Sequence, residues 1–258
     1  MLLTEFDPAR RAIVNPTDLI QPVPGLPRVA VSCFARSTFA RMVNALDGVP
    51  VAASSAANME IPIYRAIYRN TPVTLFLSDV GAPACVGLLE DVFVMGVEQL
   101  VLFGTCGVLD SAIGDCSIII PTAALRDEGT SFHYAPPSAE LPVNPRHLDT
   151  FLDILNAHGC SCTLGKVWTT DAAYRETREK MERRKTQGCV CVDMECSAVA
   201  ALAAFRQKEV FQFFYAADNL AAEQWDRRSL GDQASLSEKD KVAQLALELA
   251  VQIAAERD

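Results

Sequence analysis

The sequence predicts an α/β fold built on a largely parallel, twisted sheet, and three observations carry that expectation. Short apolar runs alternate with stretches of helical periodicity along the chain, the pattern of repeated strand–helix units. The strand at 99–103 is apolar at every position after Gln99, as burial on both faces requires. Half of the 258 residues are hydrophobic, enough for one sizeable core.

Residues 1–27 carry Pro8, Pro16, Pro22, Pro24 and Pro27 and read as an extended arm, either loose or packed on a neighbouring subunit. The remainder, 28–258, is expected as a single domain. A strand at 28–32 leads into a helix at 35–46, where Phe39, Met42, Val43 and Leu46 recur at helical spacing. Strands at 61–67 and 73–77 join through the turn Asn70-Thr71-Pro72. Gly81-Ala82-Pro83 opens a helix with a proline suited to its first turn, striped by Val86, Leu89, Phe93 and Val97.

The strand at 99–103 ends in Gly104-Thr105-Cys106-Gly107. A strand at 117–120 follows, then a polar, aromatic, proline-bearing stretch at 126–141 that reads as an ordered functional loop. A helix is expected at 145–158, a strand at 163–167 and a heavily charged helix at 177–187, whose charges are most simply a solvated face. The strand at 190–194 runs into a helix at 197–206, and the strand at 210–217 ends in Asp218-Asn219. Ser235-Leu236-Ser237-Glu238 resembles a capping box ahead of a last helix with Val242, Leu245, Ala246, Leu249, Ala250 and Ile253 on one face.

The formal charge of -9 makes nucleic acid and anionic membranes poor partners. No apolar run reaches the roughly 20 residues of a membrane helix. The N-terminus lacks the basic and apolar regions of a signal peptide, so a cytoplasmic protein is expected. The chain has nine cysteines. Cys160/Cys162 and Cys189/Cys191 are spaced C-x-C with no histidine at ligand spacing, so neither a metal site nor a disulfide framework is expected. Buried, reduced thiols are the simpler reading.

Three apolar strands end in polar or glycine-rich tips: Gly104-Thr105-Cys106-Gly107, Met194-Glu195 and Asp218-Asn219. In parallel sheets, ligands bind just outside the carboxyl ends of strands. Glycines let backbone N–H groups approach an oxyanion, and Thr105 adds a hydroxyl. Glu195 can accept two hydrogen bonds, which suits a vicinal diol. Asp218 can act as a general acid if a low-dielectric pocket raises its pKa. Each tip has a plain structural alternative: a tight turn, a first-turn glutamate facing the helix dipole, and an N-cap aspartate.

Phe103-Gly-Thr-Cys-Gly107, the run from Ile118 to Tyr134, Thr169-Thr-Asp171 and Val192-Asp-Met-Glu-Cys-Ser-Ala198 together resemble the nucleoside phosphorylase superfamily. They are most similar to the branch with uridine phosphorylase and the hexameric purine nucleoside phosphorylases. The resemblance extends from about Arg28 to the end of the chain. It implies a three-layer α/β/α sandwich whose sheet closes partly into a barrel. It also implies cleavage of a nucleoside N-glycosidic bond by phosphate, giving free base and (deoxy)ribose 1-phosphate, with no cofactor or metal, in a homo-oligomer (dimer or hexamer). Carried onto this chain, Glu195 binds the ribose hydroxyls, Met194 packs under the sugar and Thr105 contacts phosphate. The Thr105-Cys106-Gly107 backbone flanks base and sugar. Asp218 matches the aspartate that protonates a leaving purine, with Arg227 or Arg228 as its support.

The chain departs from the family pattern at the phosphate end. The first loop, Ser32-Cys33-Phe34-Ala35-Arg36, lacks the family's glycine and carries its arginine out of register. Leu102 stands where an arginine is usual, and the stretch from Ala57 to Glu60 has none. Three lost charge-assisted contacts amount to roughly 4–9 kcal/mol, so other cations must substitute, with Arg36, Arg41, Arg65 and Arg175 available. A nucleoside hydrolase on the same fold, or a nucleoside-binding homologue without turnover, is the alternative expectation.

Overall fold

β5, in the middle of the chain, belongs to two structures at once: an open sheet on one side and a closed ring of strands on the other. The computed structural model describes residues 5–231 and 233–256. Residues 1–4 of the expected arm and 257–258 of the expected domain lie outside these. The first elements are α1 (Pro16–Leu19), β1 (Val29–Cys33), α2 (Arg36–Ala45), β2 (Val49–Ala56), β3 (Met59–Tyr68), β4 (Thr71–Leu77), α3 (Ala82–Met95) and β5 (Gln99–Val108). There follow β6 (Ile118–Asp127), β7 (Glu140–Pro142), α4 (Leu148–Ala157), β8 (Cys162–Thr170), α5 (Arg178–Thr186), β9 (Cys189–Asp193), α6 (Cys196–Arg206), β10 (Glu209–Asn219) and α7 (Leu236–Ala255).

The ten strands run in the order β10-β6-β8-β9-β5-β1-β4-β3-β2, with β7 on β6 and a further pairing of β10 with β5. That last pairing closes β5, β10, β6, β8 and β9 into a ring. Parallel pairs dominate where helices intervene, as β1–β4, β1–β5, β5–β10, β6–β8 and β8–β9 show. The β2–β3–β4 meander is antiparallel.

Helices cover both faces. α2, α4 and α7 bury Phe39, Met42, Phe151, Leu245 and Leu249 against the sheet on one side. α3 and α6 bury Val86, Leu89, Val92, Val199 and Leu202 on the other. The architecture is therefore the expected three-layer α/β/α sandwich with a partly barrelled mixed sheet. Phe151 bridges helix and sheet, with its ring 5.1 Å from that of Phe211 and 4.6 Å from that of Phe213. Such aromatic pairs add about 0.5–1.5 kcal/mol each beyond the area they bury.

Several local expectations are corrected. β2 has no apolar alternation, because Pro50 and the small residues Ala52-Ala53-Ser54-Ser55 form a largely exposed edge strand. β6 runs well past residue 120, and a register shift between Pro121 and Ala123 absorbs the proline. The expected helix at 145–158 begins only at Leu148, because His147 is left-handed at φ 65° and Asn144 at φ 54°. The expected capping box at Ser235 does not form: Ser235 is left-handed with no side-chain cap bond, and Ser237 Oγ donates to Glu238 instead. Six of the nine thiols are buried, and no helix among the described residues is long and apolar enough to cross a membrane.

The stretch at 126–141 is ordered around a buried cation. The Arg126 guanidinium donates to Ser131 Oγ, Ser138 Oγ and the carbonyls of Ala135 and Pro136. Its charge also lies 3.8 Å from the centre of the Phe132 ring.

Candidate active site

Backbone pairing along β5 places a crevice. On one side β5 pairs with β10 from Gln99↔Glu209 to Val108↔Asn219. On the other it pairs with β1 only as far as Phe103 and with β9 only from Gly107. Between those two points, at Gly104, Thr105 and Cys106, that edge of β5 has no strand partner. A gap where neighbouring strands diverge is where an α/β sheet offers a ligand both backbone groups and strand ends.

The tight turn that was the structural alternative for these glycines does not form. Gly104 and Gly107 lie within β5, and the Gly104-Thr105-Cys106-Gly107 stretch is strand rather than loop. A Cβ on Gly104 would lie 2.7 Å from the Phe34 ring, and one on Gly107 would lie 2.4 Å from Leu220 Cδ1 and 3.2 Å from Asp218 Oδ1. Both glycines therefore admit side chains from neighbouring elements up to the strand.

Thr105, Cys106, Gly107, Met194, Glu195 and Asp218, the six residues singled out in the sequence, line one cavity of about 200 Å³. Because β5 lies between β9 and β10 in the ring, Glu195 and Asp218 stand at the ends of the strands on either side of Thr105.

Glu195 is buried at the N-cap position of α6, but its side chain does not cap that helix. Asp193, two residues earlier, does so: one of its oxygens accepts from the backbone N–H groups of Glu195 (3.0 Å) and Cys196 (2.7 Å), the other from Thr169 Oγ1 (2.7 Å). Glu195 Oε1 accepts from the backbone N–H of Gly81 at 2.5 Å. Burial pushes both carboxyls above their ordinary range, and the Asp193 charge adds to the rise at Glu195. Behind them Glu128 accepts from Ser197 Oγ and from the Ser131 N–H and hydroxyl, which ties the 126–141 stretch to the start of α6.

Asp218 is also buried, and burial raises its carboxyl. Neither arginine expected to support it does so directly. Arg227 Nε donates to the Leu230 carbonyl, and Arg228 donates to Asp226 and to the Ile113 carbonyl. Its hydrogen-bond donor is the Trp225 indole N–H, 2.8 Å from Oδ2. Glu176 stands beside it at the cavity wall, its carboxyl pushed up to about 7 by burial and by the Asp218 charge.

The small cavity opens two ways. One extension, about 570 Å³, is lined by Tyr174, Glu176, Met181, Asp218 and Trp225. The other, also about 570 Å³, is lined by Phe34, Arg36, Thr105, Trp225, Arg227 and Lys239. Of the cations offered by the sequence, Arg36 reaches this second extension as the first residue of α2, a helix whose N-cap, Ala35, provides no side-chain bond. Arg41 is engaged by Asp240, Arg65 lies on β3, and Arg175 is in the short 3-10 turn of Ala173–Arg175. Sequence reasoning missed Glu176 and Trp225 as wall residues, because both lie in segments without periodicity. Groups of three or more metal-ligating side chains in holding distance are absent among the described residues.

Comparison with known proteins agrees with this architecture. The family model described as the phosphorylase superfamily matches residues 28–256. Guanosine phosphorylase of Halorubrum lacusprofundi is 31% identical over 153 residues, 57% of this chain and 61% of that protein. Uridine phosphorylase of Escherichia coli is 20% identical over 58% of this chain and 64% of its own. The matches thus span a little over three fifths of these relatives. Among solved structures, uridine phosphorylase from Vibrio fischeri superposes with a TM-score of 0.76 at 19% identity, covering 94% of this chain and 99% of that one. Purine nucleoside phosphorylase from Toxoplasma gondii, in complex with immucillin-H, gives a TM-score of 0.74 at 19% identity, covering 90% and 97%.

Proposed function

The chain belongs to the phosphorylase superfamily, and from that premise we propose that it cleaves the N-glycosidic bond of a nucleoside with phosphate, releasing free base and a pentose 1-phosphate. The observation that carries this reading is the convergence of Thr105, Met194, Glu195 and Asp218 on one cavity with a cation-bearing extension on its Thr105 side.

In this reading the Glu195 carboxylate accepts from the two ribose hydroxyls, with Met194 against the sugar. An anion sits in the extension lined by Arg36 and Arg227, beside the start of α2 and the Thr105 hydroxyl. A phosphate oxygen attacks the anomeric carbon as the bond to the base breaks. Asp218 gives its proton to the imidazole ring of the purine, so the base leaves neutral. Raising Asp218 by burial serves this step, because the acid must hold its proton near neutral pH. Glu176 beside it adds a second acceptor at the base end, which suits a purine that presents N–H groups.

A second reading, hydrolysis by water, is favoured by the four carboxylates of Glu176, Asp193, Glu195 and Asp218 around the central cavity. One assay separates them. Purine and pyrimidine nucleosides are incubated with and without phosphate, and both the base and the sugar product are measured. Phosphorolysis requires that base release depend on phosphate and yield the sugar phosphate. Phosphate-independent release of free pentose overturns it. The exposed apolar residues Val49, Val51, Met59 and Ile67 of the β2–β3 hairpin support burial of this edge in a homo-oligomer.

A further inference from the structure

The two oxygens of Asp218 have different surroundings. Oδ2 accepts the Trp225 indole N–H at 2.8 Å. Oδ1 lies against β5, 3.2 Å from where a Gly107 side chain would begin, and so borders the cavity. We propose that Trp225 is a positioning residue for Asp218, its N–H fixing Oδ2 so that Oδ1 carries and delivers the proton. This rests on the reading of Asp218 as the general acid.

Three observations converge on it. First, the segment bearing Trp225 is held on both sides of it. Arg178 donates to the carbonyls of Leu220, Ala222 and Glu223; Asn219 and Asp226 exchange backbone hydrogen bonds; and Arg228 reaches the Ile113 carbonyl. Second, Trp225 keeps this bond to a buried carboxyl while 59% of its own surface is exposed, so apolar burial does not account for its position. Third, it lines both extensions of the cavity and so stands between the base end and the anion end.

The chemistry favours an indole here. A guanidinium bonded to Asp218 would orient the carboxyl but stabilise its ionised form. A neutral N–H orients it at smaller cost to its proton affinity. An oxygen that already accepts an N–H is the less basic of the pair, so the proton resides on Oδ1. In the step itself the Oδ1–H bond breaks as the N–H bond of the base forms. The electron pair of the glycosidic bond passes into the base, and Asp218 is left as a carboxylate whose Oδ2 still accepts from Trp225. The charged groups facing Asp218 are Glu176, Arg228 and Asp226, and the indole is its hydrogen-bond donor.

The test uses the full chain with the Trp225→Phe variant, which keeps the aromatic wall and deletes the N–H. The expected result is a ten- to hundredfold fall in kcat with KM changed by less than about threefold. Losing the donor raises the Asp218 pKa further, so the alkaline limb of the pH profile of kcat/KM, where the acid loses its proton, moves to higher pH. An unchanged kcat and an unchanged alkaline limb overturn the proposal. The second measurement needs no turnover: the indole N–H resonance of Trp225, identified by its loss in Trp225→Phe, is followed against pH. It should titrate with Asp218 and lose that titration in Asp218→Asn. A resonance indifferent to Asp218→Asn overturns the clamp. If no nucleoside is cleaved, the functional reading falls, while the resonance still decides whether Trp225 holds the acid.

Discussion

The two ends of the cavity are built differently. At one end, Glu195 stands where β9 meets α6, fixed by a backbone N–H from Gly81 and by Asp193 holding the first turn of the helix. At the other, Trp225, Glu176 and Arg227 come from the segments 172–177 and 220–231, between regular elements, and Trp225 is mostly exposed. The end proposed to grip the sugar is thus built where a strand meets a helix. The end proposed to meet the base and the nucleophile draws much of its wall from loops, where side chains change at little cost to the core, around Asp218 on β10 and Arg36 on α2.

Mutations at the two ends sharpen that contrast, the largest effects coming first. Asp218→Asn removes the proton donor but keeps the shape, and should lower kcat by about 10²–10⁴-fold on a purine nucleoside with little change in melting temperature. Retention of wild-type kcat removes Asp218 from the mechanism. Glu195→Ala should cost at least about a hundredfold in kcat/KM, since roughly 3 kcal/mol of ribose contact corresponds to that loss. Arg36→Ala should raise the KM for phosphate by about tenfold or more while leaving nucleoside affinity nearly unchanged. A uniform loss for both substrates would separate Arg36 from the anion.

The smallest effect concerns stability. Glu195 and Asp193 have folded-state pKa values raised above those of the unfolded chain. As pH rises through the interval between the two values, the folded protein holds more protons than the unfolded one. Its stability therefore falls from the ordinary carboxylate range up through neutrality. Glu195→Gln, which has no charge to bury, should melt a few degrees higher than wild type near pH 8, with the gap narrowing at pH 5. Equal melting temperatures at both pH values would contradict the raised carboxyl.

What the sequence revealed follows the same division. The α/β class, with Glu195 and Asp218 at strand ends, was legible because short apolar runs and a carboxylate at the strand tip are local signals, whereas the three layers came only from the family resemblance. The role of Gly104 and Gly107 was not, since accommodating Phe34 and Leu220 depends on which elements meet in space. Trp225 carried no signal at all: nothing in Gln224-Trp225-Asp226 says that an indole returns seven residues along the chain to Asp218. The same holds for the role of Asp193, which caps α6 in place of Glu195.

β5 is shared between a closed ring and an open sheet, and this has an evolutionary consequence. A ring of strands resists distortion because no edge is left to shift. The crevice opens on the strand that completes that ring, so its floor is inherited with the fold. In the proposed reading, the two bordering segments can then vary independently, one choosing the leaving group and the other the attacking group. Under that reading the substrate can change while the proposed pentose pocket stays put.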